Sequence, residues 1–445
     1  MRIEGAEVLV VGLVRSGLAC AELLHGKGAR VCATDVRPLD QLGGARAVVA
    51  RLGVPFALQS PAVFRGRDLI VVSPGVPADL PELEEARQRG VPVVGEVELA
   101  GWFLKGPIIG ITGSNGKTTT TALVGHILQQ ARVPCLVGGN IGVPAVSLIV
   151  RSCPGQWNVL ELSSFQLETI QAFRASVSVA LNMTPDHLDR HHTFENYVDA
   201  KARLFETQQA GDCAILNADD PVCVRFASRT AARPFWFSLE HPVSPGIWLE
   251  DGTLVLHGRP LLRAEQIPLR GRHNVQNTLA AAAAAHMAGA GLESIAAGIR
   301  TFPGVEHRLE FVTALRGVSF FNDSKATNVD AAAKALEAFP GRLWVILGGK
   351  DKDGDYTVLR DALREKAKAA LLIGAASAKI AGHLEGAVRL IDCGHLSAAV
   401  EAAFREAESG DTVLLAPACA SFDQFENFEH RGQVFKDLVR QLQTG

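Results

Sequence analysis

The residues best suited to chemistry lie in the stretch GITGSNGKTTTT, residues 110–121. An apolar segment precedes a turn that contains Gly113 and Gly116, and the helical pattern ALVGHILQQ follows the threonines. A bent loop at a helix N-terminus presents backbone N–H groups and the positive end of the helix dipole, so it suits a polyanion. Lys117 is expected to reach the β- and γ-phosphates of a nucleotide, and the Thr118 hydroxyl is expected to face Mg²⁺.

The spacing of this loop departs from the common phosphate-loop pattern. The first glycine of that pattern would fall at Ile111, whereas the glycine here is Gly113. The loop therefore reads T-G-x-x-G-K-T-T, a narrower variant. The alternative is an ordinary glycine turn capped by threonines, but a Gly-Lys-Thr-Thr run between a strand and a helix favours phosphate binding.

Two further charged residues flank apolar runs downstream. Glu161 ends the strand pattern in NVLELSSFQLE, where a carboxylate can hold the Mg²⁺ of a nucleotide directly or through water. The alternative for Glu161 is a surface glutamate. Lys201, in the helical pattern YVDAKARLF, is by itself typical of a solvated helix lysine.

A group of acidic residues and histidines follows the strand pattern SVSVALN. Asp186, His187 and Asp189 come at its carboxyl end, and His191 and His192 are adjacent to each other. This spacing lacks the H-x-x-x-H pattern that places two zinc ligands on one helix face. A single functional His187 is therefore preferred over a zinc site.

The N-terminal segment carries a weaker nucleotide signal. The turn at residues 12–17 has Val14 where the dinucleotide-binding fingerprint has its central glycine. Asp35 ends the second strand pattern, where an acidic side chain can accept from a ribose hydroxyl, and Ser73-Pro74-Gly75 ends the next strand at the same edge. A nucleotide or its diphosphate is the preferred ligand, and a Rossmann-like domain without a ligand is the alternative.

Three polar turns follow strand patterns in the last third of the chain. They are NDSKATN at 322–328, GGKDK at 348–352 and ACASFD at 418–423. Because the carboxyl ends of parallel strands meet at one edge of a sheet, these turns are expected to lie together.

Alternating strand and helix patterns predict the α/β frame that would position these residues. The chain has 445 residues, 47% of them hydrophobic, which is enough for several compact domains. We predict three: a Rossmann-like parallel sheet in 1–98, a central phosphate-loop domain in 99–302 that includes an all-β stretch, and a second Rossmann-like domain in 303–445.

Composition narrows the class of ligand. The net charge of −3, without a long basic run, gives no reason to expect nucleic acid or an anionic membrane as a partner. No apolar run of membrane-spanning length and no signal-peptide cleavage pattern appears, so a cytoplasmic protein with small-molecule ligands is expected. The eight cysteines form no C-x-x-C pair, which favours buried thiols; only Cys419 has a functional neighbourhood.

Taken together, the ordered motifs resemble the Mur ligase family, the ATP-dependent amide-forming enzymes of bacterial cell-wall precursor synthesis. The resemblance spans essentially the whole chain and implies a UDP-sugar domain, a central ATPase domain and a C-terminal amino-acid domain that swings closed. The strings that carry it are TGSNGKTTTT, ELSSFQLE, NMTPDHLDRH, YVDAKARLF, GRHNVQN, EHRLE, NDSKATN and LGGKDKDGD.

The resemblance implies roles in the ATP centre, where the catalytic residues would be Lys117, Glu161, His187 and Lys201. Lys117 and Thr118 would hold the phosphates and Mg²⁺, Glu161 would ligate the metal, and His187 would ligate a second Mg²⁺. Lys201 would be carbamylated, which converts the amine into an anionic group. The remaining implied nucleotide contacts are Gly113, Ser114, Asn115, Gly116 and Thr119 in the loop, Asn274 and Asn277 near adenine, Arg308 on the phosphates and Asp323 on the ribose.

The same resemblance implies two substrate pockets in the outer domains. The strings NDSKATN and SFDQFENFEHRG are most similar to those of the family member that adds D-glutamate to UDP-N-acetylmuramoyl-L-alanine. The implied UDP-sugar contacts are Gly12, Leu13, Asp35, Arg37, Ser73, Gly75 and Asn140, and the implied D-glutamate contacts are Thr327, Lys352, Ser421 and Phe428.

The implied reaction forms an amide through an acyl phosphate. ATP phosphorylates the substrate carboxylate, the amine attacks the carbonyl, and ADP and phosphate leave. The resemblance places this chemistry in peptidoglycan synthesis, and so in cell-wall biogenesis, cell shape and cell division, carried out by a monomer.

Four alternatives stay open at this point. Two lie within the class, a sister ligase and a folylpolyglutamate synthase. Outside it, a phosphate-loop switch ATPase would change shape without forming a bond. The fourth is an NAD-dependent oxidoreductase, and Val14 in the first glycine turn weighs against it.

Overall fold

The computed structural model describes residues 3–443, apart from the side chain of Asp189, which lies outside the described residues. The chain divides into two compact units. Unit 1 comprises Met1–Ile267 with Val275–Phe302, and unit 2 comprises Pro268–Asn274 with Pro303–Gly445. The described chain forms three β-sheets, of which two lie in unit 1 and one in unit 2.

The first sheet of unit 1 is parallel and buried on both faces. Its strands are β1 (Glu7–Val11), β2 (Arg30–Asp35), β3 (Phe56–Leu58), β4 (Leu69–Val72) and β5 (Val93–Gly95), in the order β3-β2-β1-β4-β5. Its helices are α1 (Arg15–Gly26), α2 (Ala45–Leu52), α3 (Pro81–Gln88) and α4 (Glu96–Phe103). Successive residues of β1 enter opposite core clusters, Val8 one and Leu9 the other. This explains the unbroken apolar run of that strand.

The second sheet of unit 1 is mixed and has nine strands. They are β6 (Ile108–Thr112), β7 (Cys135–Gly139), β8 (Trp157–Glu161), β9 (Val177–Ala180), β10 (Cys213–Asn217), β11 (Arg233–Ser238), β12 (Gly246–Glu250), β13 (Thr253–Leu256) and β14 (Arg259–Arg263). Their order is β14-β13-β12-β11-β10-β9-β6-β8-β7. Strand β6 lies between β8 and β9 and is parallel to both, whereas β12, β13 and β14 form an antiparallel extension.

Seven helices follow in the central part of the chain as described. They are α5 (Lys117–Gln130), α6 (Ser164–Leu167), α7 (Leu188–His191), α8 (Phe194–Glu206), α9 (Pro221–Arg225), α10 (Arg272–Met287) and α11 (Leu292–Arg300). The alanine run 280–285 in α10 is fully buried, as expected for a small-residue packing face.

Unit 2 is built on a six-stranded sheet. Its strands are β15 (Glu310–Leu315), β16 (Val318–Asn322), β17 (Leu343–Gly348), β18 (Ala367–Ile373), β19 (Leu390–Gly394) and β20 (Thr412–Leu415), in the order β15-β16-β20-β17-β18-β19. Its helices are α12 (Val329–Glu337), α13 (Arg360–Lys366), α14 (Ser377–Leu384), α15 (Leu396–Glu406) and α16 (Phe428–Gln441). Only β15 is antiparallel to its neighbour within this described sheet, so β16, β17 and β20 end at one edge.

The three sheets confirm the predicted α/β fold class. The domain boundaries at residues 98 and 302 stay a prediction. Among the described residues, no helix combines the length and apolarity needed to cross a bilayer.

Candidate active site

The loop Gly113–Gly116 joins the end of β6 to the start of α5. The Ser114 N–H donates to the Asn182 carbonyl at 2.8 Å, and the Asn115 N–H donates to Asn182 Oδ1 at 2.9 Å. Ser114 Oγ donates to the Thr184 carbonyl at 2.9 Å. The segment that follows β9 therefore fixes the loop from the neighbouring strand.

Both glycines of the loop occupy positions that favour glycine. Gly113 has φ 149°, and a Cβ there would lie 2.9 Å from Leu181 Cβ. Gly116 has φ 85°, and a Cβ there would overlap the side chain of Asn277. A positive φ and a close approach are both best met by glycine. Asn277, predicted to contact the adenine region, thus lies against the loop itself.

Two lysine side chains converge on one carbonyl of the loop. Lys117 Nζ and Lys201 Nζ donate to the Gly113 oxygen at 2.8 and 2.9 Å, respectively. Lys201 is only 1% exposed, so the solvated lysine that its helix position predicts is wrong. Burial, and then the charge of Lys117, lower the pKa of the Lys201 amine well below its ordinary value. The neutral, nucleophilic amine is thereby favoured.

Tyr197 belongs to this centre, although the sequence reasoning did not single it out. Its ring lies 4.7 Å from Lys201 Nζ, and its hydroxyl lies 2.9 Å from Ser114 Oγ. The signal was available, because Tyr197 and Lys201 are four residues apart and so share one face of α8.

Glu161 ends β8, the strand beside β6, and is 2% exposed. The surface-glutamate alternative is therefore wrong. Asn140 Nδ2 donates to Glu161 Oε1 at 2.7 Å, whereas Oε2 has no hydrogen-bond partner in the described structure. A buried carboxylate oxygen without a hydrogen-bond partner destabilises the folded protein. Such an oxygen is expected where a ligand supplies the missing partner.

His187 lies in the loop after β9, directly before α7. It adopts φ 53°, and its side chain is half exposed. Its ring centroid lies 4.8 Å from that of Phe165, which follows β8. Within residues 3–443 as described, no three His, Cys, Asp or Glu side chains are grouped as a metal site. Any cation here would need hydroxyl or ligand oxygens as well.

Glu168, just beyond α6, holds the segment that carries His187. Its Oε2 accepts from Arg190 at 2.7 Å, and its Oε1 lies 3.3 Å from His191 Nδ1. Arg190 also donates to the carbonyl of Val76 at 2.9 Å. We name this set, Glu168 with Arg190 and His191, the Glu168 anchor. Its members lie in the motif strings ELSSFQLE and NMTPDHLDRH, but their pairing could not be predicted because the two strings are distant in the sequence.

A cleft of about 610 Å³ opens along the carboxyl edge of the first sheet. Asp35 shapes it, since Oδ2 accepts from the Leu13 N–H at 2.9 Å and Oδ1 accepts from the Arg37 N–H at 3.0 Å. Ser73 Oγ donates to the Gly12 carbonyl at 2.6 Å. The predicted UDP-sugar residues that line this cleft are Gly12, Asp35, Arg37, Ser73, Gly75 and Asn140, while Leu13 is buried beneath it.

Several lining residues were not predicted, among them Arg15 and Gln166. Arg15 lines the cleft and its guanidinium donates to the Gly142 carbonyl, and Gln166 lines it from the side of α6. Arg15 was visible in the sequence only as part of an imperfect glycine turn, which gave no reason to select it.

In unit 2 three loops meet at the edge where β16, β17 and β20 end. We call residues 322–328, 348–354 and 417–423 the three-loop framework. Lys350 N–H donates to the Ala420 carbonyl at 2.8 Å, and Ala420 N–H returns a bond at 3.2 Å. The buried Arg431 of α16 donates to the carbonyls of Ser324 and Cys419 at 2.9 and 3.1 Å. The predicted meeting of these turns is confirmed.

The predicted D-glutamate residues are distributed over this framework and the start of α16. Ser421 is 2% exposed, Lys352 is exposed, and Thr327 is partly buried. Phe428 is the first residue of α16. Their roles stay a prediction.

Asp323, predicted to contact the ribose, belongs to the 322–328 loop, and its N–H donates to the Leu415 carbonyl at the end of β20. The Leu309 N–H donates to Asp323 Oδ1 at 3.1 Å. Burial raises the pKa of Asp323 to about 6, although the charge of Arg308 opposes this. Asn274 Nδ2 donates to the Arg270 carbonyl at 2.6 Å.

Comparison with known proteins gives matches along the whole chain. Three family models match: the Mur ligase MurD-like N-terminal domain at residues 6–95, the Mur ligase middle domain at 111–285, and the Mur ligase glutamate ligase domain at 307–419. A protein of Solibacter usitatus named UDP-N-acetylmuramoylalanine--D-glutamate ligase is 62% identical over 443 residues, covering 100% of this chain and 99% of its own. The chain belongs to the Mur ligase family.

Other Mur ligases and related structures agree with this assignment. A protein of the same name from Acidobacterium capsulatum is 52% identical and covers 99% of this chain and 97% of its own. The UDP-N-acetylmuramate-alanine ligase structure from Thermotoga maritima aligns with TM-score 0.62 at 20% identity, over 99% of both chains. A pseudomurein peptide ligase from Methanothermus fervidus gives TM-score 0.59 at 19% identity, over 98% of this chain and 100% of that one. At such identities the two structures support the fold alone.

The predicted family resemblance is therefore confirmed, and this Mur ligase is an ATP-dependent, amide-forming enzyme of peptidoglycan synthesis. Membership in the family excludes the oxidoreductase and switch-ATPase alternatives as descriptions of the whole chain.

Proposed function

We propose that this Mur ligase adds D-glutamate to UDP-N-acetylmuramoyl-L-alanine, with conversion of ATP to ADP and phosphate. The observation that carries the proposal is the full-length match, at 62% identity, to a ligase named for that reaction. A sister ligase of the family is the competing candidate, and the residues of unit 2 must decide between them.

The ATP phosphates would bind at the loop between β6 and α5. This loop is rigidly held, carries the positive end of the α5 dipole, and has Lys117 within reach of its own carbonyls. We assign the loop residues Gly113–Thr119 to the phosphates. Lys117 would stabilise the charge that develops as the phosphoryl group moves to a carboxylate.

The donor set fits Mg²⁺. Glu161 Oε2, at the end of β8, is buried without a partner in the described structure. Thr118 is the second residue of α5, the helix that follows the neighbouring strand β6. Carboxylate and hydroxyl oxygens are preferred ligands of this hard cation. We propose Thr118, Glu161, His187 and carbamylated Lys201 as residues that hold two Mg²⁺. When bound, Mg²⁺ would neutralise phosphate charge and orient the reacting oxygens.

The surroundings of the Lys201 side chain favour its carbamylation. The neutral amine attacks CO₂, a C–N bond forms, and one proton leaves to solvent, giving a carbamate anion. The buried, hydrogen-bonded position of Lys201 beside Lys117 favours both the neutral amine and an anion that would pair with nearby cations.

We assign the two organic substrates to different units of the chain. The cleft beside Asp35 and Ser73 fits a UDP-sugar, because it offers backbone groups and the N-terminus of α1 to a diphosphate. D-glutamate would bind at Thr327, Lys352, Ser421 and Phe428. An amino acid with an extra carboxylate needs cationic and hydroxyl partners, which these residues supply.

The reaction would proceed through an acyl phosphate. The carboxylate oxygen of the UDP-sugar attacks the γ-phosphorus and ADP leaves; the amine nitrogen then attacks the carbonyl carbon, phosphate leaves, and the amine loses a proton. Exclusion of water protects the acyl phosphate from hydrolysis.

We propose that the protein works as a monomer in the cytoplasm. Sedimentation at working concentration tests the oligomeric state, and a dimer in solution contradicts it.

An amino-acid panel tests the proposed function. Phosphate release is measured with the UDP-sugar and ATP in the presence of D-glutamate, L-glutamate, L-alanine, L-lysine or meso-diaminopimelate. We expect release with D-glutamate only, and none when either organic substrate is omitted. Full turnover with another amino acid would assign the chain to a sister ligase, and robust hydrolysis of ATP alone would contradict the ligase mechanism.

A further inference from the structure

Asp351 lies between two lysines of the 348–354 loop and has no role in the chemistry proposed above. Its carboxylate nevertheless accepts three hydrogen bonds. Oδ2 accepts from Lys379 Nζ of α14 at 2.7 Å, and Oδ1 accepts from the Tyr356 hydroxyl at 2.7 Å and from the Gly354 N–H at 3.1 Å. The bond from Lys379 holds the pKa of Asp351 below its usual range, so the carboxylate is charged at neutral pH.

Tyr356 extends this bonding to the next loop. Its hydroxyl lies 2.9 Å from Cys419 Sγ, and both residues are 1% exposed. Cys419 stands two residues before Ser421, after Ala418 with φ 59°. The chain of contacts from Lys379 through Asp351 and Tyr356 therefore ends on the 417–423 loop.

The third loop is joined to the same cluster. A Cβ at Gly354 would lie 3.0 Å from Val329 Cγ2, so the 348–354 loop packs closely on the first residue of α12, two positions after Thr327. Arg431 closes the arrangement, because it bonds both Ser324 and Cys419. Each loop that carries a proposed D-glutamate contact is thereby tied to the other two.

We infer that Asp351, Tyr356 and Lys379 form a positioning cluster that fixes Lys352 and Ser421 in register for the second carboxylate of the incoming amino acid. The inference rests on the proposed function. None of the three is a catalytic residue: Asp351 acts through its neighbour Lys352, and Tyr356 acts through Cys419 on Ser421.

The physical argument concerns preorganisation. Lys352 is an exposed side chain on a loop that has glycines at both ends, and an unrestrained loop must be ordered each time the ligand binds. An ionised carboxylate with three donors, inside the loop, removes that cost before binding. The cluster should therefore lower the KM for the amino acid and leave the chemical step alone.

The first test separates recognition from turnover. In the full chain, Asp351→Asn, Tyr356→Phe and Lys379→Met should each raise the KM for D-glutamate about tenfold, as expected for loss of one charge-assisted bond. The kcat at saturating D-glutamate and the KM for ATP and for the UDP-sugar should stay within about twofold of wild type. Lys379→Arg, which keeps the ion pair, should restore most of the affinity.

A matched control is available on the surface of the same unit. Asp361 pairs with Arg364 at 2.8 Å on α13, and both side chains are exposed. Asp361→Asn should leave all three KM values unchanged. An unchanged KM for D-glutamate in Asp351→Asn, or an equal rise in the KM for all three substrates, would overturn the positioning role.

A second readout does not need activity. If the cluster links the loops, Asp351→Asn should speed alkylation of Cys419 by iodoacetamide about tenfold, measured by peptide mass spectrometry, while buried Cys223 of unit 1 reacts as in wild type. If Cys223 is also labelled faster, Asp351→Asn has unfolded the protein. In that case the same measurement of Cys419 labelling is made on Tyr356→Phe, which keeps the aromatic ring. Unchanged Cys419 labelling in the folded variants refutes the linkage, whereas inactivity of wild type with D-glutamate refutes only the proposed function.

Discussion

The loop centre of unit 1 and the three-loop framework of unit 2 treat charged side chains in opposite ways. In unit 1, Glu161 keeps one oxygen without a partner in the described structure, and two lysines share the Gly113 carbonyl. In unit 2, Asp351 has three donors and Arg431 is bonded to carbonyls and a hydroxyl. A buried polar group without a partner costs about 1–3 kcal/mol. The loop centre of unit 1 therefore has the features of a ligand-binding site. In the three-loop framework, by contrast, these charged groups already have hydrogen-bond partners within the protein.

The difference predicts how substitutions will behave. In unit 1, removing a charged group should destroy chemistry and relieve repulsion or desolvation, so the fold should tolerate it. In unit 2, removing a charged group should leave a partner unsatisfied, so recognition and local order should suffer while the chemical step survives. The substitutions below test this contrast in order of expected effect.

Lys117→Ala should have the largest effect. Loss of a positioned cation at the phosphate chain should lower kcat/KM at least about 10³-fold, with thermal unfolding close to that of wild type. Steady-state phosphate release and calorimetry measure the two quantities. Lys27→Ala, at an exposed lysine of the first domain, is the matched control. Near-normal turnover in Lys117→Ala would show that the loop does not hold the reacting phosphates.

Lys201→Ala should lower activity nearly as far, because an anion proposed at the metals is lost. Added bicarbonate should not restore activity, whereas a short carboxylate such as acetate should restore part of it by occupying the emptied space. Native mass spectrometry of wild type should show the added mass of CO₂ on Lys201. An unmodified lysine together with no chemical rescue would contradict carbamylation and leave Lys201 with a structural role only.

Glu168→Gln should have an intermediate effect, about tenfold on kcat/KM, since it loosens the segment that carries His187 without touching substrate. The variant should also need more Mg²⁺ for half-maximal activity if His187 is a metal ligand. Glu84→Gln, at an exposed ion pair with Arg87, is the control. A loss of activity with an unchanged Mg²⁺ requirement would separate the Glu168 anchor from the metal.

The parts of the fold that could be predicted are those that depend on the local pattern of apolar and turn-forming residues. Apolar runs such as 8–11 and 343–347 predicted parallel strands, and Gly-Lys-Thr-Thr predicted the loop before α5, because backbone conformation and capping depend on neighbouring residues. The end of α13 at Lys366 was less clear, since KAKAALLIG is apolar enough to suit either a helix end or β18.

The parts of the site that could not be predicted depend on packing between distant segments. The burial of Lys201 requires α8 to lie beneath the loop of β6, and the Glu168 anchor joins residues from two separate segments. Asp351 looked like one acidic residue among several in GGKDKDGD. Only the side-chain contacts distinguish it from its neighbours.

Glu96 gives the smallest and sharpest test of the contrast, because it also has a buried oxygen without a described partner. Its Oε1 accepts from the Val146 N–H at 2.8 Å, and Oε2 is unpaired. Burial raises the pKa of Glu96 from 4.5 to about 7, although the hydrogen bond from the Val146 N–H opposes the shift. Unlike Glu161, Glu96 has no lysine pair or phosphate-type loop beside it, so we expect it to resolve its burial by holding a proton rather than by binding a cation.

The sign of the pH effect follows from the raised pKa. The folded state binds the proton more tightly than the unfolded state, so the stabilisation is full below pH 4.5 and is lost as pH rises to about 7, a total of about 3 kcal/mol. Glu96→Gln, which mimics the protonated acid, should therefore gain Tm relative to wild type by several degrees between pH 5 and pH 8, with Glu84→Gln as the control. If the Tm of Glu96→Gln and that of wild type change equally with pH, Glu96 is ionised in the folded protein. An unpaired buried oxygen would then no longer distinguish a ligand position such as Glu161 from a structural carboxyl group.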